Sequence, residues 1–481
     1  MTDKPVRRTK IVCTIGPASN TEDKLAALIE SGMNVARFNF SHGTHAEHAT
    51  HIARVRRVAN RLNKAVSILQ DLQGPKIRTG TFADGHEVEL KNQAEFTITA
   101  REVPGSDREV STTYAGLPDD VHPGDRLLLD DGLLELRVER VDDRDVHTRV
   151  IRGGVLKQHK GINLPGILVN TPSLTEKDRV DLAFGIAQQV DYVAMSFVRR
   201  AEDLAMVKRA IAEVDPKAAK LPVIAKLEKP AALDNLDAII EIADGVMVAR
   251  GDLGVELSPQ QVPTAQKRII AAANRRRKIV ITATQMLESM INNPLPTRAE
   301  ASDVANAIYD GSDAVMLSAE TASGSYPVEA VKMMSSIITE AEAHMEEWGR
   351  WHGTTETTSE DSVALARAAR ELAHDRDVTA IAIFTLTGRN ARLMSKARPH
   401  VPILAFTPEP QIYQRLPLLW GVTPYLIPRA DTVEAMLAHV EAAMLLSSPV
   451  RPGQQVILIG GLPPSKLVPA NFILLHTVGR S

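Results

Sequence analysis

Disulfide bridges are the first thing this chain cannot have. Its 481 residues include a single cysteine, Cys13, which excludes an intramolecular bridge and fits a reducing compartment. No stretch approaches 18 uninterrupted apolar residues, and the opening MTDKPVRRTK has no apolar h-region, so neither a membrane span nor a secretory leader is expected. A cytoplasmic protein is the reading. Charge of one sign is lacking too: 56 lysines and arginines stand against 59 aspartates and glutamates, a net charge of -3. Nothing in that balance points to nucleic acid. The one basic run, Arg275 to Lys278, lies between an alanine-rich helical pattern and an apolar strand and reads as a solvated helix end. Walker A and glycine-rich kinase loops are absent, and there is no long low-complexity tract or short repeat.

What is present is an ordinary globular composition, 44% hydrophobic and 24% charged, long enough for about three domains. Apolar runs of strand length alternate with helical patterns: Lys10 to Gly16, Asn34 to Ser41, Ala65 to Leu72, Asp191 to Val198, Val223 to Glu228, Gly245 to Arg250, Ile279 to Gln285 and Ala314 to Ala319. Such alternation implies right-handed parallel crossovers, and eight strands close most economically into a (β/α)8 barrel. The polar clusters fall where barrel enzymes carry their chemistry, on the loops after the strands. Arg37, Asn39 and Ser41 follow the second strand, Asp71 the third, Ser196 the fourth, and Lys226 and Glu228 the fifth. Asp252 follows the sixth, Thr284 and Gln285 the seventh, and Ser318 and Glu320 the eighth.

The rhythm breaks once. From about Gly74 to Pro172, short alternating runs separated by Asp-Gly and Pro-Gly turns predict a small antiparallel β domain placed as a lid on the barrel rim. After the polar stretch Gly353 to Thr358, four strand patterns alternate with helices again and predict an open doubly wound sheet. The expected units are a barrel over 1–73 and 173–350, a lid over 74–172, and a C-terminal α/β domain over 351–481.

Lys226 and Glu228 sit two apart, so on an extended chain they share a face, and Asp252 can bring a second carboxylate to the same rim. For one such dipeptide alone a structural ion pair is the plainer reading. With Asp252, two hard oxygen ligands beside an ammonium outline a magnesium site that leaves room for substrate oxygens. Arg37 and Arg78 supply guanidinium forks for phosphate. Such a set suits phosphoryl transfer, which is mostly positioning and charge stabilisation. The histidines at 42, 45, 48 and 51 drift around a helix without a carboxylate-rich partner set, so zinc is not expected.

The segments MNVARFNFSHG, DLQGPKIRTG, KGINLPG, AKLE, VARGDLGVE, TATQMLESM and DAVMLSAETA, in that order, closely resemble the pyruvate kinase family. The resemblance implies transfer of the phosphoryl group of phosphoenolpyruvate to ADP, giving pyruvate and ATP in the last step of glycolysis. It implies magnesium on Glu228 and Asp252, with Lys226 and Arg37 at the migrating phosphoryl group. Gly251, Asp252 and Thr284 are implied at the substrate carboxylate, with Thr284, Ser318 and Glu320 on the side that protonates the enolate. Asn39, His42, Arg78 and Lys177 are implied at the nucleotide. Relatives hold potassium with the equivalents of Asn39, Ser41, Asp71 and the Leu72 carbonyl. Here Lys76 resembles the variant in which an ammonium replaces that ion, so weak or absent potassium dependence is expected. Thr385, Thr387, Gly388 and Arg389 resemble the family's effector loop, for a phosphosugar or AMP; their pattern also fits a simple N-cap. The family is usually tetrameric. Two rival readings are a magnesium-dependent lyase or aldolase that stabilises the same enolate, and a silent phosphometabolite sensor. ADP-dependent loss of phosphoenolpyruvate separates the first, and the intact Lys226, Glu228, Asp252 and Thr284 weigh against the second.

Overall fold

A computed structural model describes residues 7–167, 169–350 and 357–479. Of the expected polar linker, positions 353–356 lie outside the described residues. Eight parallel strands, Lys10–Thr14, Met33–Asn39, Ser67–Asp71, Tyr192–Met195, Val223–Leu227, Gly245–Ala249, Ile279–Ala283 and Ala314–Leu317, form a closed barrel in chain order. Pairing of Lys10 with Ala314 brings the last strand back to the first. All eight expected strands are present, each ending at least one residue earlier than its apolar run.

Both faces of these strands are buried, which is why they read as continuous apolar runs rather than alternating ones. Val12, Val35, Leu69, Ala194, Ile224, Met247 and Ile281 fill the interior, while Ile11, Cys13, Ala36 and Phe38 meet the outer helices. The surrounding helices start at strong signals: Thr44 with Glu47, Thr175 with Asp178 and Thr297 with Glu300 each form a reciprocal capping box.

The inserted segment forms a six-stranded sheet running in space from Ile162–Asn163 to Glu109–Ser111, with a separate two-stranded ladder of Val88–Leu90 and Gly154–Leu156. Its own core includes Phe96, Ile98, Leu127, Leu136 and Val146. One pairing departs from the antiparallel expectation: Glu95–Thr99 runs parallel to Glu109–Ser111. At the entry to the lid Gly74 adopts φ 68°, and a Cβ there would stand 2.8 Å from the Phe197 ring. Glycine is required by both conformation and space. Its amide donates to Asp178 Oδ1 at 3.0 Å, so the chain entering the lid is fastened to the helix that follows it.

The C-terminal domain carries a five-stranded sheet, four strands parallel and the last, Phe472–Thr477, antiparallel at one edge. The four parallel strands are the expected ones, and the edge strand is added to them. The domain closes the base of the barrel, and its apolar residues continue the barrel's interior cluster. Polar contacts cross the boundary as well: Lys10 Nζ donates to the Val422 carbonyl at 2.8 Å, Ser67 Oγ to that of Gln414 at 2.6 Å and Tyr192 Oη to that of Arg415 at 2.8 Å.

Candidate active site at the mouth of the barrel

The ends of four neighbouring strands bring a chain of opposite charges together. Arg37, from the second, donates through Nε to Asp71 Oδ2 at 2.7 Å and through Nη1 to Thr14 Oγ1 at 2.8 Å. Asp71, from the third, also faces Lys226: its Oδ1 lies 3.2 Å from Nζ. Lys226, from the fifth, reaches Glu228 Oε1 at 3.0 Å and donates to Ser196 Oγ at 2.7 Å. Ser196 passes the order on, donating to the Leu72 carbonyl at 2.6 Å. The other Glu228 oxygen accepts the Phe197 amide at 2.7 Å. The shared carboxylate is thus Asp71, placed by the resemblance in a cation pocket and found binding both the arginine and the lysine expected at the phosphoryl group.

Burial works against each of these charges, and their neighbours decide the outcome. Burial would raise the Asp71 carboxyl, but Lys226 and Arg37 hold it below the usual carboxylate range. Burial would lower Lys226, yet Asp71 and Glu228 push it above the usual lysine range. Glu228 goes the other way: burial, and behind it the charge of Asp252, raise it despite Lys226. Glu228 and Asp252 thus stand close enough for the charge of one to bear on the carboxyl of the other. Their hard oxygens, with Asp252 a quarter exposed, fit a magnesium ion that takes its remaining ligands from substrate and water. Among the described residues no group of three or more His, Cys, Asp or Glu could hold a metal by itself, so this two-carboxylate seat needs those outside ligands. Lys76 Nζ lies 3.9 Å from Asp252 Oδ1, on the carboxylate side of the mouth. Asn39 Oδ1 accepts the Ser41 amide at 3.1 Å, which keeps those two side by side.

On the opposite wall Thr284 and Gln285 take φ of 67° and 53°, a left-handed turn that non-glycine residues adopt at a cost of about 1–3 kcal/mol. Arg250 braces it, donating to the Thr284 carbonyl at 2.7 Å and the Gln285 carbonyl at 3.3 Å while its other nitrogen pairs with Asp303 at 2.6 Å. The turn presents Thr284 Oγ1, which accepts the Gly251 amide at 2.7 Å and donates to the Ala283 carbonyl at 2.6 Å. Glu320 is fully buried, its oxygens accepting the Ser318 amide at 2.7 Å and the Leu287 amide at 3.1 Å, and burial raises its carboxyl. Ser318 Oγ is buried and has no hydrogen-bond partner among the described residues. Among the described residues no direct hydrogen bond joins Thr284 to Ser318 or Glu320.

Other expected positions spread more widely. His42 is exposed near the mouth, and burial of its ring together with the charges of Arg78, Lys76 and Arg37 lowers it. Arg78 donates to the His159 carbonyl at 3.0 Å on the lid side. Lys177 is engaged by Asp181 at 2.6 Å and the Phe40 carbonyl at 2.7 Å. His45 pairs with that same Asp181, and His48 stacks on Phe40 and bonds the His42 carbonyl, so those two histidines serve packing. In the C-terminal domain Thr385 Oγ1 accepts the Gly388 amide at 3.0 Å and Thr387 Oγ1 the Arg389 amide at 3.4 Å. They border a cavity of about 250 Å³ with Asn390 and Lys466. Sequence reasoning missed a buried group beside the mouth, in which Glu256 accepts from both Lys229 and Asn163; the three stand in or next to separate motif segments, and nothing in the spacing of those segments says that they meet.

Family models agree with this architecture in both halves. One described as "Pyruvate kinase, barrel domain" matches residues 6–331, and one described as "Pyruvate kinase, alpha/beta domain" matches 363–476. The chain belongs to the pyruvate kinase family. It is 46% identical over 477 residues to a pyruvate kinase of Geobacillus stearothermophilus, covering 98% of this chain and 80% of that one. To a pyruvate kinase of Staphylococcus aureus strain MRSA252 it is 44% identical, covering 98% and 81%. A crystal structure of a pyruvate kinase from Cryptosporidium parvum superposes with a TM-score of 0.89 at 35% identity, covering 98% of this chain and 96% of that one. Pyruvate kinases are phosphotransferases, and among the described residues no helix is long and apolar enough to cross a membrane.

Proposed function

We propose that the barrel mouth moves the phosphoryl group of phosphoenolpyruvate to ADP, yielding ATP and an enolate that gains a proton at carbon to become pyruvate, the last step of glycolysis. The observation that carries this reading is the Lys226 ammonium, held between Asp71 and Glu228 at 3.2 and 3.0 Å at the lip of a closed barrel. Glu228 and Asp252 would hold magnesium, which when bound would polarise the carboxylate and phosphate oxygens of the substrate. Lys226 faces the phosphoryl group and offsets the charge that spreads over its oxygens in transfer. Arg37, steadied by Asp71 and Thr14, holds the same group from another side. The backbone at Gly251 and Asp252, with Thr284, seats the substrate carboxylate. Thr284 stands on the protonating side with Ser318 and Glu320 behind it; a threonine hydroxyl is too weak an acid to be the ultimate source, so water relays the proton from there.

Asn39, His42, Arg78 and Lys177 would meet the nucleotide, Lys177 by leaving Asp181. The pocket of Asn39, Ser41, Asp71 and Leu72 would be served by the fixed charge of Lys76 in place of potassium. Thr385, Thr387, Gly388 and Arg389 would seat the phosphate of a phosphosugar or AMP effector at a helix start. The working units are a barrel over 1–73 and 173–350, a lid over 74–172 and a regulatory domain over 351–481, in a cytoplasmic homotetramer. Lys226→Met tests the core of this: ADP-dependent consumption of phosphoenolpyruvate should fall at least about a hundredfold while magnesium binding is retained. Unchanged turnover would refute the role given to Lys226.

A further inference from the structure

Beside the metal carboxylates lies a second acid that the reaction does not use. Glu256 ends the short helix Arg250–Glu256, four residues after Asp252 and therefore on the same helical face. Its side chain is 1% exposed. Oε1 accepts from Lys229 Nζ at 2.5 Å and from Asn163 Nδ2, on a lid strand, at 3.0 Å. Lys229 follows Glu228 directly in the chain, and its ammonium lies 5.7 Å from the centre of the Phe197 ring. Lys229, Glu256, Asp252 and Asp234 border one cavity of about 260 Å³ between lid and barrel. A largely buried ammonium must find a counter-charge, so this lysine has a choice of acids along one wall. That a lysine can lean on Asp252 is already seen in Lys76, 3.9 Å away.

We infer that Glu256 is a positioning residue that sequesters the Lys229 ammonium and so keeps it from competing with magnesium for Asp252 and Glu228. The inference rests on the metal seat proposed above. Asn163 fixes the direction of the Glu256 carboxylate, which makes the sequestration firmest when the lid strand is in place. Removing the negative charge of Glu256 while leaving Lys229 would send the ammonium along the cavity to Asp252, the metal carboxylate that borders it. Removing both would clear it away again.

The test is binding of Mn2+ to the full-length protein without substrates, followed by the electron paramagnetic resonance of the free ion. Glu256→Gln should weaken binding about tenfold, the lower end of what outer partners of metal ligands contribute. Lys229→Gln alone should bind at least as tightly as the unaltered chain, and the double variant should recover to within about threefold of it. A merely structural role for Glu256 would not be rescued by removing a second charged side chain. If Glu256→Gln binds Mn2+ unchanged, as it would were Lys229 to turn to Asp234, or if the double variant is no better than the single one, the inference falls. Should Glu256→Gln fail to fold, Lys229→Gln still decides: weaker Mn2+ binding in that variant overturns it. Asp252→Asn separates the two levels, because unchanged Mn2+ binding there removes the metal seat itself, whereas loss of binding there with no effect of Glu256→Gln removes only the sequestering role.

Discussion

The two ends of the barrel bury charge in opposite ways. At the base, Asp313 is saturated: it takes Lys396 and the Val280 amide on one oxygen and Arg398 at 2.9 Å on the other, while Lys396 also donates to Asn274 at 2.7 Å. At the mouth the set is unfinished. Glu228 is raised, Ser318 Oγ has no partner among the described residues, and a threonine is held in a left-handed turn. The base set is almost wholly buried, with Lys396 2% and Asp313 1% exposed, whereas at the mouth Asp252 is 25% exposed. The ends differ in their balance of charge: at the base Asp313 is met by two cations, whereas at the mouth the charge of Asp252 raises Glu228, the kind of perturbed pairing that active sites use.

The comparison breaks most sharply at Asp313. Asp313→Ala leaves two buried cations without their anion and should cost about 3–5 kcal/mol, read as a lowered denaturant midpoint, with activity of the folded enzyme within a few-fold of normal. A loss of activity with unchanged stability would show that the base is not merely structural. Next comes Lys10, whose burial, reinforced by the charge of Arg7, lowers it from 10.5 to about 7. Between those values the unfolded chain binds more protons than the folded one, so stability rises with pH across that window. Lys10→Met should flatten the rise but not abolish it, since burial also lowers Lys396, to about 8; an identical slope in the variant contradicts this. The smallest effect concerns added ligands. Potassium at saturating substrate should change activity by less than about tenfold, whereas sugar phosphates or AMP should raise it at low phosphoenolpyruvate. A larger potassium response removes the role given to Lys76, and a flat response to all the phosphates removes the effector seat.

The eight barrel strands were legible because strands buried on both faces leave apolar runs such as Gly245–Ala249. The charged ends were legible for the same reason, since charge beside such a run is conspicuous. Edges were harder. Phe472–Thr477 is mostly half-exposed along an outer edge, and a strand with one free side has no compositional signature of its direction. The site was legible where its members sit two apart, as with Lys226 and Glu228, and illegible where they are distant: Glu256 is 27 residues from Lys229 and 93 from Asn163. The bond of Lys177 to Asp181 escaped notice for another reason, that an i, i+4 pair on a helix is usually a surface pair of little consequence.

Gly74 and Asp178 clasp one another at the foot of the inserted sheet, one just ahead of that sheet and the other just behind it. To the barrel, this long excursion therefore behaves almost as a short crossover. Because its two ends are tied at one point, the size of the appendage leaves the register of the frame undisturbed.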